Sequence, residues 1–117
     1  MKLLKVIVAL NIFAFFLASL AIAADMNPHT AEAIKHAESA QTHGKSGHTK
    51  VLLEHAQESL AHAKEAEKEL TETQKQHMAE SIKHLDESIA HAKQDHADIA
   101  TKHVTEALQH MREAAEK

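Results

Sequence analysis

Residues 77–110 repeat residues 29–62 at an offset of 48, and this duplication limits the folds open to the chain more than any other feature. HTAEAIKHAESAQTHGKSGH (29–48) aligns with HMAESIKHLDESIAHAKQDH (77–96), and HAQESLAH (55–62) aligns with HVTEALQH (103–110). A self-similar block of this length is a duplicated supersecondary unit. Histidine marks the alignment throughout. His29, His36, His43, His48, His55 and His62 return as His77, His84, His91, His96, His103 and His110, and these are all twelve histidines of the chain. Within each copy the intervals are seven, seven, five, seven and seven, which reads as two helical rows of three histidines joined by a tight turn.

Local signals place four helices. Asn27-Pro28 offers an N-cap followed by proline at the first helical position. The spacing predicts a helix from about Pro28 to His43, with Gly44 ending it in a left-handed conformation. After Lys45-Ser46-Gly47 a second helix is expected from about Gly47 to Leu70. Thr71-x-x-Gln74 reads as a capping box opening a third, which continues to about Gln94. Asp95 is expected to cap a fourth, continuing to about Ala115. No segment alternates like a strand, and glycine and proline together total three. The chain is therefore expected to be all-α, an antiparallel four-helix bundle made of two duplicated helical hairpins. The link between the copies is the least constrained part. Residues 62–77 lack glycine and proline and Ala63 to Leu70 are good helix formers, so one long helix through Thr71 and Thr73 competes. Four helices are favoured, because hairpins that do not dock cannot bury their apolar stripes.

Residues 1–23 are a separate object. Lys2 and Lys5 form a positive start, Val6 to Leu20 is an apolar run broken by Asn11 and Ser19, and Ala21-Ile22-Ala23 is a small-residue cleavage site. That is the pattern of a cleaved secretory signal peptide. A retained membrane anchor is the competing reading, disfavoured because the run is short for a span. Cleavage leaves residues 24–117 as the histidine-rich bundle, without stable membrane association. It also leaves eleven basic against seventeen acidic side chains, a net charge of −6 with histidines neutral. An acidic, arginine-poor surface argues against nucleic acid as a partner. The chain has no cysteine, so an exported domain would be held by packing, or by packing and metal.

Counted from each histidine, apolar residues favour the next position (Ala37, Ala56, Ala63, Met78, Leu85, Val104, Met111) and the fifth (Ile34, Leu53, Leu60, Ile82, Ile89, Leu108). These positions are expected to form the bundle seam, flanked by small residues such as Ala33, Ala40, Ala100 and Ala107. That assignment puts the histidines about 130° round the wheel from the core centre. The core is expected to be thin and rich in alanine.

Metal ligation is the chemistry that the histidines suggest. Neighbours in one row stand about 10.5 Å apart along a helix, too far to share an ion. Folding a hairpin supplies partners: residues equidistant from the turn lie level, pairing His43 with His48, His36 with His55 and His29 with His62. In the second copy His91 meets His96, His84 meets His103 and His77 meets His110. Two ladders of three rungs result. Carboxylates three residues on can join them: Glu32, Glu58, Glu65, Glu80, Glu87, Glu106 and Glu113 each follow a histidine at that spacing. Imidazole and carboxylate without thiolate favour Cu(II), then Ni(II) and Zn(II), as bound ions, and no organic cofactor is implied. Lys35, Lys83 and Lys102, each directly before a histidine, are expected to be i,i+4 salt-bridge partners. Gly44-Lys45-Ser46 lacks the upstream glycine of a phosphate loop. Six similar sites are not the single differentiated site of an enzyme.

The blocks HTAEAIKHAESAQTHGKSGH, LLEHAQESLAHAK, IKHLDESIAHAK and ATKHVTEALQHMR closely resemble the small metal-binding protein family, periplasmic histidine-rich four-helix bundles of nitrifying bacteria. The resemblance implies a monomeric periplasmic protein binding several divalent transition ions, copper foremost. It carries the family's ligands onto His29, His36, His43, His48, His55, His62, His84, His96, His103 and His110, and extends them to His77 and His91. At 64–76, KEAEKELTETQKQ stands where a glycine-containing connection is expected. The function read from the sequence is sequestration of divalent transition metals for buffering, storage or detoxification, without enzymatic activity. The alternative is a pH-responsive structural or chaperone-like bundle using its histidines as proton switches.

Overall fold

A computed structural model describes residues 26–116; residues 1–23, read as a signal peptide, lie outside them. Four helices account for most of the described chain: α1 (Pro28–Lys45), α2 (Thr49–Glu67), α3 (Glu72–Lys93) and α4 (Ala97–Ala115). Among the described residues there is no strand, and no helix is long and apolar enough to cross a membrane. Asn27 starts α1 as expected, its side-chain oxygen accepting from the backbone N–H groups of His29 and Thr30 at 2.9 and 3.1 Å. The capping box is also present. Thr71 N–H donates to Gln74 Oε1 at 3.1 Å, and Gln74 N–H donates to Thr71 Oγ1 at 3.4 Å. It breaks the chain between α2 and α3 and excludes the single long helix.

The hairpin turns are built differently from the expectation. In the first, His48 N–H donates to His43 C=O at 2.9 Å and Gly47 N–H to Gly44 C=O at 3.0 Å. That is a Schellman motif, and its left-handed residue is Gly47 (φ 75), not Gly44. Gly44 sits inside α1, buried, where a Cβ would collide with Thr101 of α4 and Leu52 of α2. The second turn repeats the motif through His96 to His91 and Asp95 to Ala92, both at 3.0 Å. Asp95 therefore takes the left-handed position (φ 60), and His96 is the N-cap of α4. The cause is register: offset by 48, Asp95 is the equivalent of Gly47, and a Schellman closure demands the left-handed residue there.

Each helix packs on the two that flank it in the order α1, α2, α3, α4 and back to α1, while α2 and α4 meet only slightly across the diagonal. The buried seam is shifted one residue from the expected one. The position after every histidine but His96 is buried, and its main partner is the fourth more than the fifth: Ala33, Ala40, Leu52, Ser59, Ala66, Ser81, Ser88, Ala100, Ala107 and Ala114 are all about fully buried. Of the fifth-position residues, Ile89 and Leu108 are buried as expected, whereas Ile34, Leu53, Leu60 and Ile82 lie at the edge, partly buried against this core. Small residues win the centre because they let the helices of a hairpin approach closely. Their hydroxyls then reach across it. Ser59 donates to Ala33 C=O at 2.7 Å, Ser81 to Ala107 C=O at 3.0 Å and Ser88 to Ala100 C=O at 2.7 Å. The alanine-rich core is as expected: ten of the seventeen buried apolar residues among those described are alanine.

Shifting the seam moves the histidines. With the first and fourth positions at the centre, each imidazole stands about 70° from it, not 130°. That is a boundary position. Ten histidines are half-buried along the α1/α2 and α3/α4 grooves, and His48 and His96, beside the turns, are exposed. The two grooves lie on opposite sides of the bundle.

Candidate metal centre

All six rungs bring their two rings together, four of them through Nδ1 contacts. The Nδ1 atoms of His29 and His62 are 3.2 Å apart, those of His36 and His55 3.2 Å, those of His43 and His48 3.3 Å, and those of His84 and His103 3.4 Å. His77 and His110 meet with ring centroids 6.2 Å apart, and His91 and His96 with centroids 5.9 Å apart. The rung beside each turn is fixed by the backbone itself, since the Schellman bond joins its two histidines directly.

Rungs are also linked to one another by stacking along each groove. His36 stacks on His62 of the next rung with centroids 5.7 Å apart and planes within 5°. His43 on His55, His84 on His110 and His91 on His103 repeat the contact at 5.5–5.9 Å and 8–11°. Each groove thus holds six imidazoles in an unbroken zigzag.

Carboxylates complete some rungs and not others. Glu58 Oε2 lies 2.8 Å from His36 Nδ1 and 3.3 Å from His55 Nδ1. Glu113 Oε2 lies 2.8 Å from His77 Nδ1 and 3.6 Å from His110 Nδ1. At the rung of His84 and His103 two carboxylates converge. Glu87 Oε2 is 3.6 and 2.9 Å from the two Nδ1 atoms, and Glu106 Oε2 is 3.1 and 3.3 Å from them. Glu32 and Glu80 reach forward across the diagonal instead, grouping with His36 and His62 and with His84 and His110. Glu65 is diverted: Lys68 Nζ holds it at 2.9 Å. The Lys68 hydrogen bond, and then its charge, keep the Glu65 carboxyl below its ordinary value. Lys35 does pair, but backwards with Glu32 at 4.0 Å. Lys83 and Lys102 form no ion pair among the described residues, because Glu87 and Glu106, four residues on, face the imidazoles.

Five groups of three side chains bring one ligand atom each within 4.8 Å of the others, and every one combines histidine with glutamate. Repeated convergence of imidazole nitrogen and carboxylate oxygen, without cysteine, is a donor set for divalent transition ions. The sequence profile of the family described as small metal-binding protein matches residues 1–114. The chain belongs to that family. The small metal-binding protein family is not an enzyme family, and no curated protein matches the chain.

The side chains fit a family of metal binders on a second count. His91 Nδ1 and His110 Nδ1 are buried atoms without a hydrogen-bond partner among the described residues. A buried polar atom left unpaired costs free energy, and each such case asks for a reason. Both atoms lie on rungs, where their lone pairs are available to a cation. Rungs of two neutral imidazoles carry a related frustration. A 3.2 Å contact between two Nδ1 atoms requires one ring to donate and the other to accept, whereas a cation satisfies both lone pairs at once.

Proposed function

We propose that the protein sequesters several divalent transition-metal ions at once along its two imidazole ladders, in the periplasm, for metal buffering, storage or detoxification. The observation that carries this reading is the closure of four of the rungs with Nδ1 atoms 3.2–3.4 Å apart. Metal–nitrogen bonds of about 2.0–2.1 Å put two imidazole donors on one ion at that separation. All twelve histidines, from His29 to His110, serve as ligands. Cu(II), Ni(II) and Zn(II) are the expected ions, with copper bound most strongly overall. The apolar segment and small-residue site at residues 1–23 support export and cleavage, leaving a monomer whose partners are the ions themselves.

Shared histidines limit the loading. His36, His84 and His110 each belong to two of the three-ligand groups, so a diagonal group and the rung it crosses cannot fill together. Three disjoint rungs carry glutamate: His36/His55/Glu58, His77/His110/Glu113 and His84/His103/Glu87. Equilibrium dialysis against copper at neutral pH should show these three filling first and the three carboxylate-free rungs filling later, more weakly. The decisive variants separate rung from row. His36→Ala and His55→Ala remove the same ion, so the double variant loses one copper, as each single does. His36→Ala with His43→Ala loses two, because the sites are about 10.5 Å apart along α1. Retention of full copper capacity in all four variants would refute ligation by the ladders.

A further inference from the structure

Along α3, His77 and His84 stand about 10.5 Å apart. A metal–ligand bond is only about 2 Å long, so an ion cannot pass directly from the outer rung to the middle one. The α3/α4 groove holds a third set of ligands between them. His77, His110 and Glu113 form the outer set, Glu80, His84 and His110 the diagonal set, and His84, Glu87 and His103 the middle set. Each set brings one ligand atom per residue within 4.8 Å of the others, and each shares one imidazole with the next. His110 joins the first two and His84 the last two. The two shared rings stack on each other with centroids 5.7 Å apart and planes within 8°. His110 Nδ1 is also one of the buried atoms without a hydrogen-bond partner among the described residues.

We infer that the α3/α4 groove is a relay along which a divalent transition ion, as cargo, passes between the outer and middle rungs without release to water, and that Glu80 is the ligand of the crossing. This passage presupposes the rungs as metal sites and adds movement between them. Leaving the outer rung, an ion keeps His110 while Glu80 and His84 replace His77 and Glu113. It then keeps His84 while Glu87 and His103 replace Glu80 and His110. One imidazole is retained at each exchange. Glu80 is placed for this, about one turn from His77 on one side and from His84 on the other, and it is exposed where Glu87 is half-buried. The groove also has a direction. His77 and Glu113 line a surface pocket with Thr71, Gln74 and Glu116, and His77 is 38% exposed against 19% for His84 and 21% for His103. Ions therefore enter at the outer rung and move inward. Because the diagonal set borrows a ring from each neighbour, a filled middle rung stops the passage. The first hairpin supplies the contrast. Glu32, His36 and His62 share His36 with the set of His55 and Glu58, but the outer rung of His29 and His62 forms no three-ligand set among the described residues, and Lys68 holds its Glu65 at 2.9 Å. That groove has the crossing without the entrance.

Substoichiometric Zn(II), with exchange spectroscopy of the histidine ring resonances, reads movement between rungs. In the full mature chain, isotope-labelled, zinc should exchange between the His77/His110 and His84/His103 signals at a rate that excess unlabelled, metal-free chain does not change. Glu80→Gln should slow that exchange by about tenfold or more. Asp86→Asn removes an exposed carboxylate of α3 that belongs to no ligand set, and should leave the rate as it was. Absence of exchange in the parent chain, an equal rate in Glu80→Gln, or zinc reaching the unlabelled chains as fast as the middle rung overturns the relay. A Glu80→Gln chain that holds one zinc fewer at saturation also overturns it, because Glu80 would then be a resident ligand. Each of these outcomes leaves metal binding intact. Zinc bound at no rung would overturn the proposed function itself, and the relay with it.

Discussion

The two hairpins share every histidine and little else that matters to packing or ligation. At the buried position after each histidine, α3 and α4 present Met78, Leu85, Val104 and Met111 where α1 and α2 present Thr30, Ala37, Ala56 and Ala63. The second hairpin supplies most of the large buried side chains, and Leu52, fully buried where the second copy has Ala100, is the first hairpin's contribution among them. Carboxylates follow the same division. The second hairpin turns Glu87, Glu106 and Glu113 onto its rungs, while in the first Ser39 replaces Glu87 and Lys68 removes Glu65. Duplication thus conserved the frame that sets where ions sit. Divergence changed what holds the bundle together and which donors each ion finds.

Core substitutions test this division most severely. Leu85→Ala, fully buried in α3, should cost about 2–5 kcal/mol in metal-free protein. The equivalent change in the first hairpin, Ala37→Gly, removes only a methyl group from a helix interior and should cost about 1 kcal/mol. Urea denaturation with a chelator present measures both. Equal costs would show that the first hairpin bears as much of the core as the second.

This asymmetry was partly legible in the sequence. Rung pairing followed from counting outward from each turn, and the capping box at Thr71 and Gln74 located the break between hairpins. The seam was misplaced by one residue because hydrophobicity ranks Ile34, Leu60 and Ile82 above Ala33, Ser59 and Ser81. Close approach of two helices rewards small volume instead, and Ser59, Ser81 and Ser88 gain a backbone acceptor that their sequence context does not reveal. Asp95 looked like a cap because aspartate favours that role. The offset of 48 from Gly47 was the better guide to its left-handed backbone. The glutamates three residues after a histidine were visible, but not that Glu87 and Glu106 would each touch both rings of one rung. That depends on how far the helices rotate towards each other.

A charge at one position controls whether the outer rung of each hairpin keeps its glutamate. Lys68 in the first copy is matched by Glu116 in the second, so Glu65 is held by an ammonium group while Glu113 faces its two imidazoles. The contact is not released in mild acid. A carboxyl lowered in the folded state contributes stability above its ordinary value of 4.5 and loses it only as the pH falls through the lowered value. Lys68→Ala should therefore free Glu65 at neutral pH and tighten zinc at His29 and His62 by about tenfold. Glu116→Lys should weaken zinc at His77 and His110 by a comparable factor. Histidine ring resonances followed during a zinc titration assign each change to its rung. Unchanged order of filling in both variants would show that Glu65 and Glu113 are not ligands.

The smallest expected difference lies in the two turns, which close by the same hydrogen bonds around different residues. Gly47 adopts φ 75 without penalty, and a Cβ placed there meets nothing within 4 Å. Asp95 adopts φ 60 against the steric preference of any residue with a Cβ, a cost of about 1–2 kcal/mol that its short polar side chain lessens. Replacing it with glycine relieves that strain but raises the entropy of the unfolded chain, worth about 0.4–1 kcal/mol in the opposite sense. The net expectation for Asp95→Gly is a gain of about 0.5 kcal/mol. Gly47→Ala gains the entropy but takes on the full strain and should lose about as much. Because His43/His48 and His91/His96 are the rungs tied to these turns, neither change should alter the glutamate-bearing rungs. Urea midpoints moving in opposite directions, with zinc uptake at His84 and His103 unchanged, would confirm that turn strain and metal chemistry are separable. Midpoints moving in the same direction would mean that Asp95 earns its place through contacts of its side chain and not in spite of its backbone.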